Sequence, residues 1–147
     1  MPIAQPSVSL DEARTIIAAT FAKAAELGLK PLGVVVLDAA GQLKACERQD
    51  GASHMRVDIA TGKAHGAVAL GSGSRAIFKR AQEQAYFVNA VNTLARGLLV
   101  PVPGGVLIRD ANGAIVGAVG VSGDASDQDE AAAVAGIAAA GLVADPG

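Results

Sequence analysis

His54 and His65 stand eleven residues apart in a helix-prone, alanine-rich segment. On one continuous helix that spacing is a rotation of about 1100°, so both imidazoles share a face. The same three turns rise about 16 Å, too far for the pair to grip one metal within a single helix. Either one of them alone is a ligand, or the two act across a subunit interface; the competing role is that of a hydrogen-bonded structural or surface histidine. Met55, Tyr86 and Cys46 are the other side chains able to ligate, and packing is the competing role for each.

A charged group surrounds the same segment: Arg48, Asp50, Arg56, Asp58 and Lys63. Arg56 and Lys63 are seven apart, hence on one helical face, where they can receive a carboxylate by charge-assisted bonds. The alternative is an ion-pair network with Asp50, Asp58, Asp129 or Glu130. If the protein is an enzyme, Asp129 or Glu130 with His65 supplies an acid–base pair for a small organic acid held by Arg56 and Lys63, suited to proton abstraction or isomerisation. No G-x-S-x-G motif occurs and the lone Cys46 falls in an expected strand, so covalent catalysis fits less well. A second basic group, Arg75, Lys79 and Arg80, reads as a solvated face or as the lining of an anionic pocket.

The stretch "PGGVLIRDANGAIVGAVGVSG", 103 to 123, holds six of the eighteen glycines. It lacks the Lys-Ser/Thr of a phosphate-cradling loop and the spacing of a dinucleotide fingerprint. Its alternation reads as a strand, with Ile115, Gly117, Val119 and Val121 on one face and Val116, Ala118, Gly120 and Ser122 on the other. Glycine inside a strand marks close approach of a ligand or of another backbone. Gly104 and Gly105 open the stretch and join Arg48, Asp50, Arg56, Lys63 and Tyr86 as expected ligand-binding residues.

The elements that position these residues are legible. Ser9-Leu-Asp-Glu12 is a capping box, and Leu10, Ala13, Ile17, Phe21, Ala24 and Leu27 recur at helical spacing up to Gly28, giving a helix over 10–27. Two hairpins follow from Asp38-Ala-Ala-Gly41 and from Asn112-Gly113, a pair suited to positive φ in a tight turn. A D-A-x-G-x-[L/I] pattern thus occurs twice, which shared turn chemistry explains more simply than duplication. Segments 54–70 and 76–96 are helix-prone and separated by the flexible "GSGS" of 71–74. "LLVPVP", 98–103, reads as an edge strand, and Ser126 with Asp129 reads as the cap of a last helix through the apolar run Ala131–Ala144. The expected order is α-β-β-α-α-β-β-β-α, an α+β fold with an antiparallel sheet of about five strands.

At 147 residues the chain reads as one domain, 1–147. With only four aromatic residues, its core must come from Ala, Val, Leu and Ile. The net charge of −2, with both signs interspersed, gives no footprint for nucleic acid. The Ala131–Ala144 run is too short to span a bilayer. The start "MPIAQPSVSLDEA" lacks the pattern of a secretion signal, so the expected location is cytoplasmic. A single cysteine excludes an internal disulfide and a multi-cysteine zinc site.

Three stretches together, "VVVLDAAGQLKACERQDGA", "DIATGKAHGAVAL" and "PGGVLIRDANGAIVGAVGVSGDASDQDEAAAVAG", resemble the HbpS/GlcG-like family over residues 8 to 142. That family includes heme-binding proteins, glycolate-operon proteins and the C-terminal domain of PduO-type proteins. The resemblance implies a profilin-like sheet with flanking helices, a homo-oligomer, and a small-molecule ligand for which heme is the best single expectation. It makes His65 the preferred axial ligand of an iron and gives Arg56 and Lys63 the propionates to receive. The segment 71–102 departs from the family's pattern, with Tyr86-Phe87 where many members carry a proline- and glycine-rich loop, which leaves room for a ligand other than heme.

Overall fold

The computed structural model describes residues 4–147; Met1 to Ile3, part of the stretch read for a secretion signal, lie outside the described residues. Helix α1 runs from Leu10 to Leu27, and both halves of its capping box form: the Glu12 amide donates to Ser9 Oγ (3.1 Å) and the Ser9 amide to Glu12 Oε1 (2.9 Å). Gly28 ends it in the left-handed conformation. Its buried stripe is Ala13, Ile16, Ile17, Thr20 and Ala24, whereas Leu10 and Leu27 at its two ends are exposed.

The remaining elements are β1 (Gly33–Asp38), β2 (Leu43–Arg48), α2 (Met55–Leu70), α3 (Ser74–Glu83), α4 (Ala85–Leu94), β3 (Gly105–Arg109), β4 (Ile115–Ser122), α5 (Ser126–Ala139) and β5 (Val143–Asp145). The strands form one antiparallel sheet in the order β2-β1-β4-β3-β5, so the protein is α+β. α1 and α5 cover one face, around Ile16, Ile17, Val34, Val36, Ile108 and Ile137. α2 covers the other, against Val35, Leu37, Leu107 and Ala118.

The two hairpin tips are the same turn. In each, an aspartate Oδ1 accepts two backbone amides, Ala40 and Gln42 for Asp38, Asn112 and Ala114 for Asp110. The glycine amide then donates to the aspartate carbonyl, and Gly41 and Gly113 take φ of 78° and 83°. Asn112 keeps a negative φ, so the second tip is not the expected two-residue turn with positive φ at both positions.

Four local expectations are corrected. Segment 76–96 breaks at Gln84 into α3 and α4, which pack together around Ile77, Val88 and Leu99. Residues 98–103 are not an edge strand: they cross the outer side of α2, where the Val100 amide donates to the Gly62 carbonyl (3.1 Å). The fifth strand is β5 instead, because α5 stops at Ala139 and Gly141, at φ 75°, turns the chain back beside β3. Ser126 is the first helical residue of α5 and its side chain caps nothing; Ala125 is the N-cap.

On β4 the register slips between Ile108 and Arg109 of its partner, leaving Val116 as a bulge. Ile115 therefore joins Ala118 and Gly120 on the α2 side, and Val116 joins Val119 and Val121 on the other, the reverse of strict alternation for those two residues. The β4 glycines admit backbone, not ligand: a Cβ on Gly120 would run into the Ala60 carbonyl of α2. Gly120→Ala is expected to lower stability by about 1–3 kcal/mol, since overpacking against backbone exceeds the roughly 0.4–1 kcal/mol gained by stiffening the unfolded chain. A urea midpoint unchanged or raised in that variant would contradict this packing.

Candidate functional site

α2 organises the site because it is hemmed in on two sides. Ala60, Ala64 and Ala67 lie on the sheet, while Gly62 and Gly66 receive Val100 and Leu99 from the crossing segment. Its longer side chains leave sideways.

To one side goes Lys63. Its Nζ donates to the Val121 carbonyl (2.8 Å) and to Asp129 Oδ2 (3.2 Å), with both side chains only 2 % exposed. Gly104, at φ 117°, passes directly over this ammonium, where a Cβ would stand 2.8 Å from Nζ. Gly105 donates its amide to Ser74 Oγ (2.7 Å), and a Cβ there would strike the Lys63 carbonyl. Burial pushes Lys63 down, and the Asp129 charge only partly offsets it. Burial likewise pushes Asp129 up, against the pull of Lys63 and the Asp124 amide. Both groups are driven toward neutrality because water is excluded from each. Of the two readings of Lys63, the ion pair is the one formed, and the ammonium is sealed from solvent.

The other charged candidates are dispersed. Arg56 is half-buried and donates to Ser122 Oγ (3.3 Å). Arg48 donates to the Ala52 carbonyl, and with the exposed Asp50 it borders a trough of about 580 Å³ between the end of α1 and β2. Glu130 accepts from Arg75 Nε (2.9 Å), and Asp127 pairs with the same guanidinium. Asp129 and Glu130 therefore each hold a cation, and neither is bonded to His65. Tyr86 projects from α4, 75 % exposed.

To the other side of α2 goes His65. Its Nδ1 lies 2.9 Å from the Leu98 carbonyl oxygen. A carbonyl only accepts, so in the neutral ring Nδ1 carries the proton and Nε2 keeps its lone pair. Nε2 has no bonded partner among the described residues. The ring edge lies near the tip of the β1–β2 hairpin, where a Cβ on Gly41 would be 3.7 Å from His65 Cδ2. Arg56 is nine residues away on the same helix, a rotation of about 900°, hence on the opposite face. His65 and the Arg56/Lys63 pair thus do not line one site.

His54 is exposed at the start of α2 and caps nothing, and Met55 is exposed beside it. Cys46 lies on edge strand β2, where partial burial and then Glu47 push its thiol up, away from the thiolate that binds metal. Among the described residues no three His, Cys, Asp or Glu side chains converge. A lone histidine suits a metal that brings its other ligands with it, as a macrocycle does.

Sequence reasoning passed over Leu98, Ser74 and the Val121 carbonyl. These act through backbone atoms or a single hydroxyl brought in from distant elements, and only the Gly104-Gly105 pair signalled a close approach.

The model of the family "Haem degrading protein HbpS-like" matches residues 8–138. An uncharacterized 15.0 kDa protein encoded in the dhaT-dhaS intergenic region of Citrobacter freundii is 32 % identical over 123 residues, 84 % of each chain. Among solved structures, a PduOC:heme complex superimposes with a TM-score of 0.82 at 25 % identity, covering 92 % of this chain and 96 % of that one. The Klebsiella pneumoniae protein ORFY gives 0.84 at 26 % identity, covering 96 % and 97 %. With the matched span and the Citrobacter freundii relative in agreement, the chain belongs to the HbpS-like family.

Proposed function

We propose that this protein binds heme, with His65 as the axial ligand of the iron. The observation that carries the reading is the His65 Nδ1–H bond to the Leu98 carbonyl, the arrangement by which ligating imidazoles are oriented and made more basic at Nε2. Leu94 at the end of α4 and Leu98, which supplies this carbonyl, are 84 % and 42 % exposed, and Leu43 beside the Gly41 turn is 65 % exposed. These side chains offer an apolar bed for a macrocycle. The solved heme complex of a relative with the same fold supports the choice of ligand.

Bound heme would bring four ring nitrogens to its iron and the ligand-exchange and electron-transfer chemistry of that centre. The chain's own part is to fix the imidazole, turn Nε2 away from the Leu98 carbonyl and remove water from one face of the ring. The same leucines suit a second subunit laid over the other face, consistent with a homo-oligomer. No described helix is long and apolar enough to cross a membrane.

Titration with hemin, followed at the Soret band, tests the reading. A shift that saturates at one heme per subunit and is lost in His65→Ala is expected. A shift that never saturates, or that His65→Ala leaves intact, overturns it.

A further inference from the structure

The α3–α4 hairpin carries a second concavity, remote in chemistry from His65. Leu70 at the end of α2, Ala76 and Ile77 of α3, and Phe87 and Val88 of α4 wall a groove of about 290 Å³. That is at the small end for a ligand pocket and too little for a macrocycle, but ample for a short acyl or aryl chain.

Arg80 and Ser72 are the two polar residues in the lining of this otherwise apolar groove. Arg80 is held there by two contacts: its guanidinium lies over the Phe87 ring, 3.7 Å from the centroid, and Nε donates to Gln84 Oε1 (3.2 Å). No carboxylate among the described residues lies within ion-pairing distance of it. Its neighbour Arg75 is neutralised by Asp127 and Glu130, so Arg80 is the cation on this hairpin that is both positioned and uncompensated over the groove. Cation–π stacking fixes the plane of the guanidinium without consuming its outer N–H donors. An apolar trough with such a fork in its lining is complementary to an amphipathic anion.

We propose that this groove binds a small apolar carboxylate, its hydrocarbon lying against Ile77, Phe87 and Val88 and its carboxylate paired with the Arg80 guanidinium. The site stands apart from the heme reading and does not depend on it.

Hexanoate and its neutral analogue hexanamide, titrated into the purified protein and followed by backbone amide shifts, test the proposal. Saturable shifts confined to α3, α4 and the end of α2 are expected, with hexanoate binding at least about tenfold more tightly than hexanamide, as one charge-assisted contact warrants. Arg80→Gln should erase that preference, so that hexanoate binds no more tightly than hexanamide. Ala76→Leu, which fills the groove from a partly exposed position, should abolish binding of both, with the helical circular dichroism of each variant checked against wild type. Equal affinity for the two probes in the wild type, or a preference that survives Arg80→Gln, overturns the proposal. Shifts of the same amides with protein concentration alone, without hexanoate binding, would assign the groove to self-association and also overturn it.

Discussion

Replacing His65 by alanine is expected to abolish the coordinated Soret spectrum that hemin gives with the wild-type protein, while the fold persists. The imidazole is partly exposed, and its one bond is to a backbone carbonyl that water can reach once the ring is gone, so the stability cost should stay near about 1 kcal/mol. Loss of iron ligation is by contrast complete, because no second described histidine, and no cysteine, stands beside His65 to replace it. His65→Gly with added imidazole should restore the spectrum if Nε2 is the ligand. Arg56→Gln should leave it unaltered, since Arg56 projects from the opposite face of α2. A spectrum sensitive to Arg56 but not to His65 would place the iron elsewhere.

The second large effect concerns stability. Asp129→Ala leaves the Lys63 ammonium buried against one carbonyl with no counter-charge, and the expected loss is about 3–5 kcal/mol. That is a large share of the stability of a domain this size. Lys63→Met alone strands Asp129 in the same way. The double variant Lys63→Met/Asp129→Leu removes both desolvation costs and should be clearly more stable than either single variant. Urea denaturation of the four proteins measures this; additive losses in the double variant would show that the pair does not interact as the geometry implies.

The same pair sets a pH dependence of known sign. Burial raises Asp129, so between its ordinary value and the raised one the folded protein holds a proton that the unfolded chain has released. Stability contributed by this group is therefore greatest below the ordinary carboxylate range and falls as pH rises through the raised value. Lys63 is lowered by burial, so between its lowered value and 10.5 the unfolded chain binds the extra proton and stability rises with pH. Denaturation profiles of the double variant should lack both slopes relative to wild type.

The first helix cap and the two hairpin tips are legible in the sequence because their partners lie within a few residues. Ser9 and Glu12 form their reciprocal cap because both partners lie within one turn. Asp38 and Asp110 build identical tips because each carboxylate reaches amides two and four residues on. The misread pieces are those whose conformation depends on what they meet. Residues 98–103 are extended but find Gly62 and Gly66 rather than a strand edge, and Val143–Asp145 continue an apolar run yet pair with β3 once Gly141 has turned the chain.

The candidate site divides the same way. By itself the sequence determined the α+β class, the two hairpins and the helix that carries His65, since periodicity and turn residues act over a few positions. Only the tertiary structure decided that Lys63 is sealed beneath Gly104 on Asp129, and that His65 leans on Leu98 from the other side of α2. The physical reason is distance along the chain: Lys63 meets a carboxylate 66 residues away and His65 a carbonyl 33 residues away. No helical spacing encodes which side chains such a closure brings together.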